Sequence, residues 1–282
     1  CEHYGICVQF GPNADALNNW GAVLTQFASD KPREEARELH RNACEKHAQA
    51  CAINPTDFEA TGNYADSLCS LAELTDDPAA SDALLAQGSA QWEATVALMT
   101  YDCDKCEALS NWGNALSTAA ERKTNAGLRD HALTLSAAAV EKLTLVANKQ
   151  RGDAEPQVNL GDILHTHSEL LPNPLEGYPK AVEAYQVALA IDSRHYEALC
   201  GVADVCLDWT RRLGQAGGDF TPVAHKAYET YQAALAVKED DTVHYNVACL
   251  CSLTGQHDIC SQHLARCLQL DPTCLRELPT DQ

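Results

Sequence analysis

The chain has 282 residues, 45% of them apolar, with few glycines and prolines and a formal net charge of −20. This composition supports a buried core and argues against extended disorder, and no run of 18 apolar residues offers a membrane span. The negative charge opposes binding to nucleic acid, where phosphate dominates affinity, and to anionic lipid, and it would steer basic or polar segments of other proteins inward.

Residues 1–12 fit no helical pattern and read as an extension. Asn13 is a candidate cap for a first helix carrying Asn19, Trp20, Gly21 and Leu24. Its partner runs from about Pro32 to Ile53, with Ala43 and Ala50 seven apart, and stops at Asn54-Pro55. A second pair begins at Thr56-Asp57 and carries Asn63, Tyr64, Ala65 and Leu68. It breaks at Asp76-Asp77-Pro78 and resumes with Ala90, Ala94, Ala97 and Leu98. A third pair has Asn111, Trp112, Gly113 and Leu116, then Ala137, Thr144 and Leu145 in the matching register. The fourth has Asn159, Leu160, Gly161 and Leu164, a proline-containing loop, then Ala181 and Ala188. The fifth has Gly201, Val202, Ala203 and Cys206, a glycine-rich loop, then Ala227 and Ala234. The sixth has Asn246, Val247 and Cys251, a Thr254-Gly255 break, then Cys260, Leu264 and Cys267, and stops at Asp271-Pro272. Residues 273–282 form a tail too short for a full capping helix.

Small residues seven apart share a helix face and let a neighbouring helix approach. Tyr185, Tyr231 and Leu264 stand between such pairs and fill the gap beside the contact. The stretch Asp241–Cys274 is 34 residues long, a helix–turn–helix closed by a proline. The chain thus resembles the tetratricopeptide repeat (TPR) family, strongly over 159–274 and traceably back to about residue 13. The resemblance implies an all-α, TPR-like α-solenoid of about six antiparallel helical hairpins over 13–272, with a concave face made of first helices. It also implies a non-catalytic protein–protein interaction scaffold. The spacing departs from the family: the anchors Trp20, Tyr64, Trp112, Leu160, Val202 and Val247 lie 44, 48, 48, 42 and 45 residues apart. Longer helices can absorb the extra length, and longer loops are expected in the fourth and fifth pairs.

Asn19, Asn63, Asn111, Asn159 and Asn246 each stand immediately before a first-helix anchor. Asparagine is a mediocre helix former, so its recurrence calls for a reason. In some TPR arrays similarly placed asparagines line the groove and bond the backbone of an extended peptide. A carboxamide both donates and accepts, which suits that task; bonding to a neighbouring helix is the structural alternative. One turn further on stand Asp66, Asn114, Asp162 and Asp204. Together these residues predict a partner-binding groove preferring basic or polar segments, or else a solvated acidic face. The basic residues of a carboxylate clamp are nearly absent from these positions.

Two alternatives stand beside the groove. The protein could serve as an organellar complex subunit or assembly factor acting through its convex surface. It could also be a thiol or metal protein using Cys249, Cys251, His257, Cys260, His263 and Cys267. Cys260 and Cys267 fall on packing positions where sister repeats carry alanine, which favours reduced core cysteines and an intracellular, reducing setting. Cys103-Asp104-Lys105-Cys106 lacks the second pair that a zinc site wants, and the rings of His165 and His167 should point to different helix faces. No nucleophile elbow, P-loop or dinucleotide glycine pattern is present, and no cofactor or enzymatic activity is expected.

Overall fold

A computed structural model describes residues 13–273, and these residues hold a succession of α-helices with one short turn of 3-10 helix. The expected extension over 1–12 and nearly all of the expected tail lie outside these residues. In chain order the helices are α1 Ala14–Ala28, α2 Arg33–Ile53, α3 Phe58–Leu74, α4 Pro78–Leu98, α5 Asp102–Asn125 and α6 Arg129–Lys149. They continue with α7 Glu155–Leu170, α8 Tyr178–Ile191, α9 Tyr196–Gln215, α10 Thr221–Val237, α11 Asp241–Leu253 and α12 His257–Leu270. No strand occurs among the described residues.

Local chemistry sets the boundaries. Asn13 Oδ1 accepts from the amide of Ala16 at 3.0 Å, as its capping chemistry predicts. Asp57 accepts from the amides of Glu59 and Ala60, and Asp77 from Ala80 with Pro78 opening the helix behind it. Gly255 ends the α11 side of the last turn at φ +74°, a conformation that L side chains rarely adopt. At the other ends, arginines from adjacent helices cover exposed carbonyls. Arg122 donates to the carbonyls of Ala72 (2.8 Å) and Thr75 (3.4 Å) at the end of α3. Arg129 donates to those of Glu169, Leu170 and Leu171 at the end of α7.

The chain divides into two compact units between Gly127 and Leu128, inside the turn that links α5 and α6. In the first unit, α1 packs on α2 and α3 on α4, α2 bridges to α3, and α5 packs on α3 and α4. In the second, α6 packs on α7, and α7/α8, α9/α10 and α11/α12 form successive hairpins.

The extra length of the repeats is mostly helix. α2, α4 and α6 have 21 residues each and α5 has 24, against 13 and 14 in α11 and α12. The fourth pair does use a loop, with a single turn of 3-10 helix at Pro174–Glu176. The fifth uses both: α9 and α10 have 20 and 17 residues, with α9 running through Gly214 to Gln215, and the link over 216–220 turns at Gly217 with φ +71°.

Four of the second helices, α2, α4, α8 and α10, share one core pattern, small–x3–large–x2–small. Ala181–Tyr185–Ala188 and Ala227–Tyr231–Ala234 are buried as read from the sequence. In α2 the large residue is His47, 1% exposed between Ala43 and Ala50. Two registers differ from expectation. In α4 the buried set is Gly88–Trp92–Thr95, while Ala90, Ala94 and Ala97 face solvent. Gly88 is needed there: a Cβ would lie 2.8 Å from Cys69 Sγ. In α6 the buried set is Ala139–Leu143–Val146, and Ala137 and Leu145 are exposed. The run Ala137-Ala138-Ala139 offers several registers, and only packing chooses among them.

Candidate partner-binding site

The first helices owe their close approach to glycines. A Cβ on Gly161 would lie 2.6 Å from the Tyr185 ring, and one on Gly201 2.3 Å from it. In the first unit a Cβ on Gly21 would lie 2.5 Å from the His47 ring. In α2 and α8 a large side chain, His47 or Tyr185, is thus seated against bare backbone of a first helix.

Two of the five asparagines, Asn63 and Asn246, bond between helices. Asn246 Nδ2 donates to Asp204 Oδ1 at 2.9 Å, linking α11 to α9, and Tyr231 donates to the same oxygen at 2.6 Å. Asn63 Nδ2 donates to Asn18 Oδ1 at 3.0 Å, linking α3 to α1. Asn18 was not singled out by the sequence. The position corresponding to Asp204 in α1 is Ala22, which cannot accept, and Asn18 lies four residues before it on the same face. Asn18 is 5% exposed and also takes His47 Nδ1 at 3.0 Å, whereas its neighbour Asn19, the expected site residue, is exposed. Asp162 accepts from the Tyr185 hydroxyl at 2.5 Å. Burial pushes the carboxyls of Asp162 and Asp204 up, and these hydrogen bonds pull them partly back. Asn159 is half-buried and Asn114 exposed. Asp162, Asp204 and Asn246 thus each take part in a bond between helices.

Asn63, Asp66 and Asn111 meet elsewhere. They line one concavity of about 230 Å³ formed by α3, α4 and α5. Glu59, Asp104 and Glu107 add carboxylates to its rim, and Phe58, Trp92 and Met99 give it an apolar wall. Burial pushes Asp66 up to about 6. Asn63 spends a donor on Asn18 and keeps acceptor capacity on its own carbonyl oxygen.

Other clusters have partners of their own. His165, Glu169 and Asp208 lie close enough to hold a metal ion. His165 Nε2 sits 3.1 Å from Asp208, while Arg211 and Arg212 occupy Asp208 and Glu169 at 2.6 Å, and Tyr178 donates to Glu169. The two arginines already neutralise both carboxylates, and the network ties α7, α8 and α9 together. His167 turns away to Ser136, at 2.8 Å. Among the described residues, no three of the C-terminal cysteines and histidines form a ligand group. Cys251 and Cys267 are buried in the core, and His263 instead faces His244, Nδ1 to Nδ1, at 2.8 Å.

A larger concavity, about 570 Å³, lies in the second unit against α10 and α11, with Phe220, Ala224, Tyr228, Leu250 and Cys251 in its wall.

The crystal structure of BtubC (BKLC) from P. vanneervenii is similar over 90% of this chain and 96% of its own, with a TM-score of 0.53 at 13% identity. The fold is TPR-like. Two further solved structures align with lower scores. YrrB, described as a TPR protein with an unusual peptide-binding site, is 15% identical over 82% of this chain and 95% of its own, with a TM-score of 0.45. Pseudomonas aeruginosa pilF is 15% identical over 93% of each chain, with a TM-score of 0.49. At such identities the likeness concerns the fold alone. No protein-family model and no curated protein matches the chain.

Proposed function

We propose that the protein is a non-catalytic interaction scaffold that holds an extended segment of a partner protein in the concavity of α3, α4 and α5. The observation that carries this reading is the meeting of Asn63, Asp66 and Asn111 in one hollow, where amides and carboxylates face solvent beside an apolar wall. Carboxamides can pair with peptide bonds of any sequence, and the carboxylates favour basic or polar segments. A TPR-like array suits the task, since it supplies rigid surface without an active site. A reducing setting fits the cysteines, of which Cys44 and Cys69 are buried with thiols pushed up to about 12, and so are inert packing groups.

The test is selection from a random peptide display library on the full chain, run in parallel on Asn111→Arg, which fills the hollow from the exposed wall. Enrichment on wild type and its loss on the variant are expected. Equal enrichment on both would place binding elsewhere. The apolar concavity against α10 and α11 favours a second reading, docking as a subunit of a larger complex through the second unit. Substitution of Phe220 would then release the partner while Asn111→Arg would not.

A further inference from the structure

Carboxylates in several parts of the molecule carry a basic partner. Asp82 takes Lys123 at 2.5 Å, Glu169 takes Arg212 at 2.6 Å, and Glu239 takes Arg266 at 2.6 Å. Around the hollow of α3, α4 and α5, the carboxylates of Glu59, Asp66, Asp104 and Glu107 have no lysine or arginine partner among the described residues. Asp66 and Asp104 are the half-buried members of this group, and a half-buried carboxylate without a counter-charge is costly. Beside them the wall is apolar and aromatic. Phe58 is 43% exposed, which is high for so large an apolar side chain, and Met99 shares the lining with it. Trp92 is 3% exposed, and its indole Nε1 has no hydrogen-bond partner. The hollow therefore combines an apolar channel with uncompensated negative charge, in a volume that suits one long side chain and excludes a helix.

We propose that this hollow is a pocket for the side chain of an arginine in the partner segment, its methylene stem along Phe58 and Met99 and its guanidinium among Asp66, Glu107 and Asp104. The inference rests on the groove reading above and adds the chemistry of the occupant. Arginine fits better than lysine for two reasons. Its planar group presents five donors that can serve several carboxylates at once, and it is more weakly hydrated than an ammonium, so it enters a half-buried site at lower cost. It can also stack on an aromatic wall. The high position of the Asp66 carboxyl agrees, since an entering cation would stabilise the charge that burial disfavours.

The experiment is an NMR titration of the full chain, following the indole N–H signals of its tryptophans. The probes are N-acetyl-arginine N-methylamide, the corresponding citrulline compound, which keeps the shape without the charge, and the lysine compound. The expected result is a saturable shift of the Trp92 signal by the arginine probe, with those of Trp20 and Trp209 unmoved. Citrulline should bind at least about ten-fold more weakly, as should arginine to the double variant Asp66→Asn, Glu107→Gln. Lysine should fall between. Citrulline binding as tightly as arginine, or lysine more tightly than arginine, overturns the proposal without any need for the variant. If Trp92 stays unmoved while display-selected peptides still bind, the groove reading stands and the arginine pocket is refuted. If neither probes nor peptides bind, both fall.

Discussion

Asp66→Asn isolates one electrostatic contribution whose sign follows from burial. The Asp66 carboxyl is pushed from its ordinary 3.8 up to about 6 because burial disfavours its charge. Between those values the folded state binds more protons than the unfolded state. The stability tied to Asp66 is therefore present at low pH and lost as pH rises through about 6. Asparagine is neutral throughout, so the variant gains on wild type as pH rises. Linkage gives about 1.3 kcal/mol between about pH 5 and about pH 7, and solvent screening of a half-buried group brings this to about 1 kcal/mol. His47 works in the opposite sense. Burial lowers it from 6.5 to about 4, so its contribution is present above 6.5 and is lost on acidification, by about 2 kcal/mol over the same interval. In wild type the two effects partly offset each other, and Asp66→Asn exposes the histidine's loss. Urea unfolding at the two pH values, read by circular dichroism, measures the difference between variant and wild type. That difference should shrink by about 1 kcal/mol on going from pH 7 to pH 5. A difference that stays constant, or grows on acidification, would refute the reasoning.

Gly201→Ala drives a Cβ to 2.3 Å from the buried Tyr185 ring and should cost about 1–3 kcal/mol in urea unfolding, while Gly152→Ala, with open space around it, should cost under about 0.5 kcal/mol. Tyr231→Phe leaves Asp204 with Asn246 as its remaining side-chain donor and should cost about 1–3 kcal/mol; the Asp204 carboxyl, already pushed up by burial, should rise further in an NMR titration. The His244–His263 contact tolerates one proton between its two Nδ1 atoms, and burial lowers both histidines, so the unfolded state takes up protons first on acidification. With Glu239, Asp240 and Arg266 as the surrounding charges, amide exchange across α11 and α12, corrected for intrinsic rate, should speed up below about pH 6. Unchanged protection there would show that the pair carries no stability.

Much of the fold was legible because several helix boundaries have a local chemical cause. Asn13, Asp57 and Asp77 cap, Pro32 and Pro78 open, and Asn54-Pro55 closes. The alanine pairs of α2, α8 and α10 were legible too, and all six of these alanines are buried. Where alanine is abundant on both faces, as in α4 and α6, composition ceases to mark the buried side. The register there turns Trp92 and Leu143 into the core. The asparagine row was visible but its use was not. Donation from Asn63 to Asn18 and from Asn246 to Asp204 depends on how first helices stack. Asn18 was detectable in principle as a polar residue on the apolar stripe of α1, beside Leu17 and Gly21. The hollow of α3, α4 and α5 joins residues from Phe58 to Asn111, so its mixture of amide, acid and aromatic groups emerges only from packing.

The most direct test of the scaffold reading is purification of the tagged full chain from its source cells at low and at high salt, beside Asn111→Arg. The partners that travel with each are then identified by mass. A discrete protein partner should accompany wild type at low salt, fall away at high salt and be missing from the variant, as a charge-steered segment in the hollow requires. The same partners on wild type and variant, or wild type recovered alone at both salt levels, would contradict it.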